Sequence, residues 1–457
     1  MVSPHRMVLR LQLLSLLTLL LGTTARAQRL IGSFEQNDGR PGSVVLWSTY
    51  GQDHFPVDTT FVDRKGRFAF DERSAASGFY QLSVSDSDRV DLILDPRENS
   101  VELRFDGLPL REHIAVVRSL ENQRLWEYKR ASRSYGSEIS SLRQRRATSD
   151  PLDATNLLVL DSLEREAVGR RESALERLIL QDPTSYFSKV VGADQQLTAA
   201  IPRGPLAIRD AMDWTDASLV RSSVYPNAIT AVLQSATPAS TDVLSNASDS
   251  LLKWAEPDPV CWRFTRAFLI SLFSEYAADE LVQHLVDAYI TGPGTLYPPG
   301  PELLQLVAAQ LRVSIGSQAP DVLLPDPLRG DTVSLSELRM GSRCTALFFY
   351  SSTCDHCHEQ MPGLVSLYNG STANGLQVIG IALDNDRADF IRTIAEEQLS
   401  FRCFSELNAW GSQAAKAFAV KATPTFIVLD GQGVIIGKPF DHEELRTMVL
   451  PLLNEGR

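Results

Sequence analysis

The stretch ALFFYSSTCDHC, residues 346–357, decides the fold of the C-terminal third of the chain. Its first five residues form a nearly continuous apolar run, which is typical of a β-strand that is buried on both faces. Two cysteines follow at the start of a predicted helix that runs from Cys354 to Asn369. A buried strand that leads directly into a helix indicates an α/β domain.

The rest of this region alternates between strand and helix patterns. Short apolar runs predict strands, and amphipathic segments predict helices. The predicted strands are 378–382, 426–429 and 434–436, and the predicted helices are 386–398 and 443–453. We therefore expect a small α/β domain over residues 315–457.

Cys354 and Cys357 stand at the one cysteine spacing in the chain that has chemical meaning. Two cysteines three positions apart at a helix start bring their sulfurs close enough to form a disulfide. The free N–H groups and the positive end of the helix dipole favour the thiolate of Cys354. We expect Cys354 to attack a substrate disulfide and Cys357 to resolve the mixed disulfide. His356 between them is expected to stabilise the thiolate and to make the pair more oxidising.

A structural disulfide and half of a zinc site are the alternative interpretations of this pair. Zinc would need two more ligands in tetrahedral geometry. His356 and His358 lie too close in sequence to complete such a site easily, and the chain has no second CxxC motif. The sequence therefore predicts a redox pair, with no metal and no cofactor.

Residues 315–457 resemble the TlpA/ResA-like thiol-disulfide oxidoreductases of the thioredoxin superfamily. The matching features are the redox pair Cys354 and Cys357, the initial segment 315–321, the hairpin 330–335, Met361-Pro362 in the active-site helix, and Thr423-Pro424-Thr425. The resemblance implies that Pro424 follows a cis peptide bond and faces the disulfide. It also implies that Thr423 offers backbone hydrogen bonds to an extended substrate, and that the substrates are protein disulfides or dithiols.

The sequence departs from that family at three places. Thr353 stands where the family usually has Trp, so one wall of the substrate surface is missing. The buried acid of ordinary thioredoxins falls on Phe348, and the Glu of the ResA-like branch falls on Gln360. The usual proton acceptor for Cys357 is therefore absent from both places. Glu359 is a possible substitute, although a surface role is the better interpretation of a helical Glu.

The N-terminal two thirds carry two further patterns. Residues 28–107 predict a small β-sandwich or barrel, because strands recur about every ten residues between polar turns. Residues 108–314 predict a helical domain, because apolar residues recur at helical spacing and prolines divide the segment. The two regions more weakly resemble the β and helical domains that are fused to such thioredoxin domains in some Gram-negative bacteria.

Residues 1–27 have the pattern of a signal peptide. A basic start, a 12-residue apolar run (11–22) and Ala25-Arg26-Ala27 fit signal-peptidase cleavage. The apolar run is shorter than the roughly 20 residues that span a bilayer, although an uncleaved anchor is the alternative. We therefore expect export to the periplasm, with a membrane redox partner as a further possibility. The net charge of −12 argues against nucleic acid as a partner.

Three interpretations of function stay open at this point. The leading one is an exported thiol-disulfide oxidoreductase, acting as a reductase or isomerase on proteins. A thiol peroxidase on a related fold is the second, although Leu347 stands where that chemistry places a Pro. The third is a binding or scaffold protein with a vestigial thioredoxin domain. The remaining cysteines, Cys261, Cys344 and Cys403, carry no predicted pairing.

Overall fold

The computed structural model describes residues 28–35, 40–73, 76–276 and 278–454. The predicted signal peptide, residues 1–27, lies outside these ranges. Within them, no helix is both long and apolar enough to cross a membrane. The chain forms two compact units: residues up to Ser235 together with Trp254–Cys261, and Ala236–Lys253 together with the residues from Trp262 onward.

The first unit begins with eight strands. They are β1 (Gln28–Phe34), β2 (Ser43–Tyr50), β3 (Asp53–Phe61), β4 (Arg67–Arg73), β5 (Gly78–Ser83), β6 (Arg89–Leu94), β7 (Ser100–Phe105) and β8 (Ile114–Arg118). They form two four-stranded sheets, with orders β4-β1-β7-β8 and β3-β2-β5-β6. On β7, Val101, Leu103 and Phe105 are buried and alternate with polar residues, as expected for a strand with one face on a core.

Helices complete the first unit. They are α1 (Leu110–His113), α2 (Leu120–Thr148), α3 (Ala154–Gln181), α4 (Tyr186–Ala200), α5 (Pro205–Ala211) and α6 (Val224–Gln234). The buried Glu121 on α2 accepts hydrogen bonds from the backbone N–H groups of Tyr186 and Phe187, at 2.8 and 2.9 Å. This carboxylate satisfies donors that the first turn of α4 leaves without helical partners.

In the described part of the chain after Gln234, four helices come before β9 (Leu323–Pro325). They are α7 (Thr241–Ala255), α8 (Pro259–Glu275), α9 (Asp279–Tyr289) and α10 (Pro301–Leu311). The elements that follow are β9 (Leu323–Pro325), β10 (Thr332–Ser334), α11 (Leu335–Leu338), β11 (Cys344–Tyr350), α12 (Asp355–Ser371), β12 (Leu376–Ala382), α13 (Arg387–Glu396), β13 (Arg402–Ser405), α14 (Gln413–Ala417), β14 (Thr425–Asp430), β15 (Ile435–Gly437) and α15 (His442–Asn454).

β11 lies at the centre of the C-terminal sheet, whose order is β13-β12-β11-β14-β15. It runs parallel to β12 and antiparallel to β14. All seven of its residues are buried, because each face of the sheet is covered by its own apolar cluster. Phe348 and Tyr350 pack on the side of α12 and α15, whereas Leu347 and Phe349 pack on the opposite side.

The fold class predicted from the sequence is confirmed: a strand-rich N-terminal region, a helical middle region and a C-terminal α/β domain. The predicted strands and helices of the C-terminal domain are present, each within about two residues at either end. The strand-rich region continues through β8 to Arg118, beyond residue 107. Val313, just before residue 315, packs in one of the two C-terminal clusters. The domain boundaries at 107 and 314 stay predictions.

Candidate active site

Cys354 occupies the N-cap position of α12, directly after the loop that leaves β11. Its Sγ donates to the carbonyl oxygen of Thr423 at 3.4 Å, so the sulfur lies against the loop before β14. Of the five cysteines, all of which lie in the described residues, Cys354 alone is not buried. It is therefore the thiol that a substrate can reach.

Cys357 lies one turn further along α12 and is fully buried in the core beside Met361 and Leu364. Burial, together with the hydrogen bond between Cys357 and Cys354, raises the pKa of the Cys357 thiol to about 12. Cys357 thus keeps its proton at neutral pH. The two thiols are unequal: one is accessible at the helix start, and the other is protonated and shielded.

The other three cysteines are buried and stand on other elements. Burial raises the pKa of Cys344 to about 11 and those of Cys261 and Cys403 to about 12. Because the thiolate is the reactive form of cysteine, these three thiols are expected to be inert.

Asp384 anchors the loop that leads into Cys354. Its buried carboxylate accepts from the backbone N–H of Ser352 at 2.8 Å and from the Ser352 hydroxyl at 2.6 Å. The Ser351 hydroxyl donates to the same carboxylate at 3.3 Å. From the sequence alone, the position of Asp384 and Asp386 after a predicted strand indicates a loop and helix cap. A sharper signal was present, since Asp384 follows β12 and the carboxyl ends of neighbouring parallel strands meet at one edge of a sheet.

His358 links the same loop to Glu397, the residue that follows α13. Its Nδ1 donates to Oε1 of Glu397 at 2.7 Å, and its Nε2 donates to the carbonyl oxygen of Ser352 at 3.1 Å. Both partners are acceptors, so the two contacts are made together as hydrogen bonds only when both ring nitrogens carry protons. The hydrogen bonds to Glu397 and to the Ser352 carbonyl raise the pKa of His358 above its ordinary value.

Thr423 and Pro424 stand where the sequence placed a substrate-binding loop. The peptide bond between them is cis, and both residues line a groove of about 580 Å³. The groove is lined by Glu275, Tyr276, His356, Glu359, Gln360, Ala422, Thr423, Pro424, Thr425, Phe426, Lys438, Pro439 and Phe440. This volume falls in the range of ligand-binding clefts.

His356 lies on the exposed side of α12. Its side chain is 81% exposed, and its Nδ1 is 3.1 Å from Oε2 of Glu359, which is itself 66% exposed. The contact that the structure gives His356 is therefore with a surface carboxylate one helical turn away. Its influence on the redox pair stays a prediction.

The two positions at which the family carries an acid are occupied differently here. Phe348 is buried and stacks on Phe426, with ring centroids 4.9 Å apart. Gln360 accepts from the backbone N–H and from Nδ1 of His442, at 3.0 and 2.8 Å. The His442 ring fills the space where a side chain at Gly363 would lie. Gln360 on α12 therefore links this helix by hydrogen bonds to the start of α15.

Among the described residues, no three His, Cys, Asp or Glu side chains come together as metal ligands.

The C-terminal domain is similar to several known proteins. Residues 315–438 match the AhpC/TSA family. The thiol-disulfide oxidoreductase ResA of Bacillus thuringiensis is 26% identical over 125 residues, which are 27% of this chain and 69% of that protein. A thiol-disulfide oxidoreductase structure from Bacteroides fragilis is 29% identical over 30% of this chain and 99% of its own, with a TM-score of 0.28. The thioredoxin domain of a thiol-disulfide oxidoreductase from Bacteroides vulgatus is 23% identical over 31% of this chain and 99% of its own, with a TM-score of 0.29.

The C-terminal domain is a TlpA/ResA-like member of the thioredoxin superfamily. The protein is an oxidoreductase of the thiol-disulfide class. The resemblance noted in the sequence is thereby confirmed for residues 315–438.

Removing the carboxylate of Glu397 should lower the pKa of His358. The contact with Glu397 raises the pKa of His358 in the folded protein. It therefore stabilises the fold fully below the unfolded-state histidine pKa of about 6.5, and this stabilisation is lost as pH rises through the folded-state pKa. We expect Glu397→Gln to move the His358 titration midpoint down, as measured by NMR of its ring protons. Glu396→Gln, at the exposed neighbouring position, is the matched control and should leave the midpoint in place. An unmoved midpoint in Glu397→Gln would contradict this assignment.

Removing the carboxylate of Asp384 should loosen the loop before Cys354. We expect Asp384→Ala to speed hydrogen exchange at the Ser352 amide by about ten- to a hundredfold, because a hydrogen bond to a charged acceptor contributes roughly 1.5–3 kcal/mol. Asp386 accepts from Ala388 N and Asp389 N at the start of α13, so Asp386→Ala is the matched control. It should expose the α13 amides and leave Ser352 protected. Equal increases in the exchange rate of the Ser352 amide in both variants would contradict this role of Asp384.

Proposed function

We propose that this protein is an exported enzyme that exchanges electrons with the disulfides of other proteins through Cys354 and Cys357. The observation that carries the proposal is the inequality of the two thiols. Cys354 is accessible at a helix N-terminus, whereas Cys357 is buried with its pKa raised to about 12. A nucleophile that a substrate can reach, followed by a shielded resolving thiol, is what disulfide exchange requires.

The reaction proceeds in two balanced displacements. The Cys354 thiolate attacks one sulfur of the client disulfide, an S–S bond forms between them, and the second client sulfur leaves as a thiolate that takes a proton. The Cys357 sulfur then attacks Sγ of Cys354, the S–S bond between Cys354 and the client breaks, and the departing client sulfur takes up the proton that Cys357 gives up. The client leaves with two thiols, and the enzyme holds the Cys354–Cys357 disulfide. Two electrons and two protons have moved to the client, and the reverse sequence oxidises a client dithiol.

The direction of electron flow decides whether the enzyme reduces, isomerises or oxidises its clients. We favour a reductase or isomerase in the periplasm, on the basis of the signal pattern in residues 1–27 and the family of the C-terminal domain. A reductase must be recharged by a dithiol donor, and a membrane redox partner would supply it. A reduction potential near or below about −250 mV would support the reductase, and one above about −180 mV would support an oxidant or isomerase.

The N-terminal regions complete the proposal. We assign residues 28–107 and 108–314 to two domains that present substrates or bind partners, and residues 315–457 to the redox domain. Deletion of residues 28–314 without any change in activity on the natural substrate would contradict the first assignment.

Single cysteine variants should separate the two roles. Cys357→Ser keeps the nucleophile and removes the resolving thiol, so we expect it to accumulate a mixed disulfide with a peptide that contains one disulfide. Mass spectrometry of the unreduced protein measures the adduct and its position. Cys354→Ser should form none, and Cys403→Ala should behave as the wild type. An adduct on any cysteine other than Cys354 in the Cys357→Ser variant would contradict the assigned roles.

Peroxide reduction is the second candidate, because the family matched by residues 315–438 is the AhpC/TSA family. Two features of this chain weigh against it. Leu347 is buried in β11 where a peroxidase would place its Pro, and the Ser351 hydroxyl is bound to Asp384. Oxidation of Cys354 by hydrogen peroxide at a rate far above that of an ordinary thiol would favour the peroxidase.

A further inference from the structure

The loop between β11 and Cys354 is held at Ser352 from two sides. The backbone N–H and the hydroxyl of Ser352 donate to the buried Asp384 carboxylate, and its carbonyl oxygen accepts from Nε2 of His358. His358 also contacts Cys354 through the main chain, because its backbone N–H donates to the Cys354 carbonyl oxygen at 3.3 Å. The residues that present the reacting sulfur thus lie between two contacts of one histidine.

The contact between His358 and the Ser352 carbonyl depends on the protonation of the ring. A neutral imidazole carries one N–H, whereas an imidazolium carries two. His358 has two acceptors, Glu397 at 2.7 Å from Nδ1 and the Ser352 carbonyl at 3.1 Å from Nε2. When the ring loses one proton, the other stays on the side of the carboxylate, because a hydrogen bond to a charged acceptor is the stronger one. The nitrogen that faces Ser352 then carries a lone pair opposite a carbonyl oxygen, and this contact is lost.

The charged groups around His358 favour the protonated ring. Glu397 faces it from the residue after α13, and Asp355 lies three positions before it on α12; both carboxylates raise the pKa of His358, with the hydrogen bond to Glu397 as the largest cause. Asp384, from the loop after β12, contacts the same Ser352. The side chains of His358 and Glu397 are 32% and 23% exposed, so the pair can exchange protons with solvent. The contact with Ser352 is therefore complete at low pH and is lost as pH rises through the raised pKa of His358.

We propose that His358 is a positioning residue for disulfide exchange: with both ring nitrogens protonated it fixes the loop that presents Cys354, and its deprotonation releases that side of the loop. The reaction of Cys354 then has a pH dependence that belongs to the His358–Glu397 pair, in addition to the titration of the thiols themselves. The contacts of Ser352 with Asp384 do not involve the ring, so the change is a local loosening. This inference rests on the proposed disulfide exchange and adds a control of the same site.

A ratio of two rate constants separates this effect from the titration of the thiols. The reduced full-length protein and its His358→Gln variant are each mixed with dipyridyl disulfide over a range of pH, and the release of pyridinethione gives each rate constant. At about pH 5.5, below the ordinary histidine pKa of about 6.5, we expect the wild type to react about tenfold faster than His358→Gln, because displacement of a reacting group lowers the rate steeply. At about pH 9 the ratio should fall close to one, because the wild type has then lost the same contact.

Two further variants assign the pH dependence to this pair. In Glu397→Gln the rate advantage over His358→Gln should disappear at a lower pH than in the wild type, together with the NMR titration of His358. His113→Gln is the matched control, since His113 on α1 also has a carboxylate partner, Asp106, at 2.8 Å and lies in the other compact unit. It should keep the wild-type rate at every pH. A ratio that is the same at every pH would show a merely structural role and would overturn the inference, as would an unmoved midpoint in Glu397→Gln. A wild type that releases no pyridinethione at any pH would instead overturn the proposed function.

Discussion

The complete burial of β11 is the constraint on which the active site depends. A strand covered on both faces must lie in the middle of its sheet, with neighbours on either side. Its parallel partner β12 pairs Ala382 with Tyr350, and its antiparallel partner β14 pairs Thr425 with Phe349. The chain therefore leaves β11 at the edge where β12 ends and β14 begins. Asp384 and the Thr423–Pro424 peptide come to Cys354 for this reason.

The same burial makes the two thiols chemically different. α12 begins at the edge of the sheet and runs over its apolar face, so that one turn separates solvent from the core. Cys354 lies at the solvent end of that turn and stays accessible, whereas Cys357 lies at the core end. The loop between β11 and α12 is fixed by the Asp384 carboxylate and by His358, and both contacts meet at Ser352. The position of the Cys354 sulfur is thus set by charged hydrogen bonds in addition to packing.

Much of this arrangement could be predicted from the sequence, because it depends on local patterns. The apolar run of β11, the cysteine spacing and the Thr423–Pro424 loop are all readable in short segments. β8 was missed because its pairing with β7 follows a short helix within a segment of helical pattern. The contacts of Asp384 and of His358 with Glu397 were missed because they join residues more than 30 positions apart.

The position of Tyr276 in the lining of the groove could not be predicted from the sequence for the same reason. Nothing in the sequence around Tyr276 distinguishes it from any other aromatic residue after a helix. Its position depends on the ion pair between Asp279 and Lys438, which are 159 residues apart.

The most direct test of the central claim is the redox titration of the full chain in glutathione buffers of graded potential. The thiols that remain free at each potential are alkylated and counted at each cysteine by mass spectrometry. We predict that Cys354 and Cys357 lose alkylation together in one two-electron transition. The ratio of dithiol to disulfide should change tenfold for each ~30 mV. Cys261, Cys344 and Cys403 should give no such transition, and Cys354→Ser should abolish that of Cys357. Absence of a reversible Cys354–Cys357 disulfide at every potential would contradict the account.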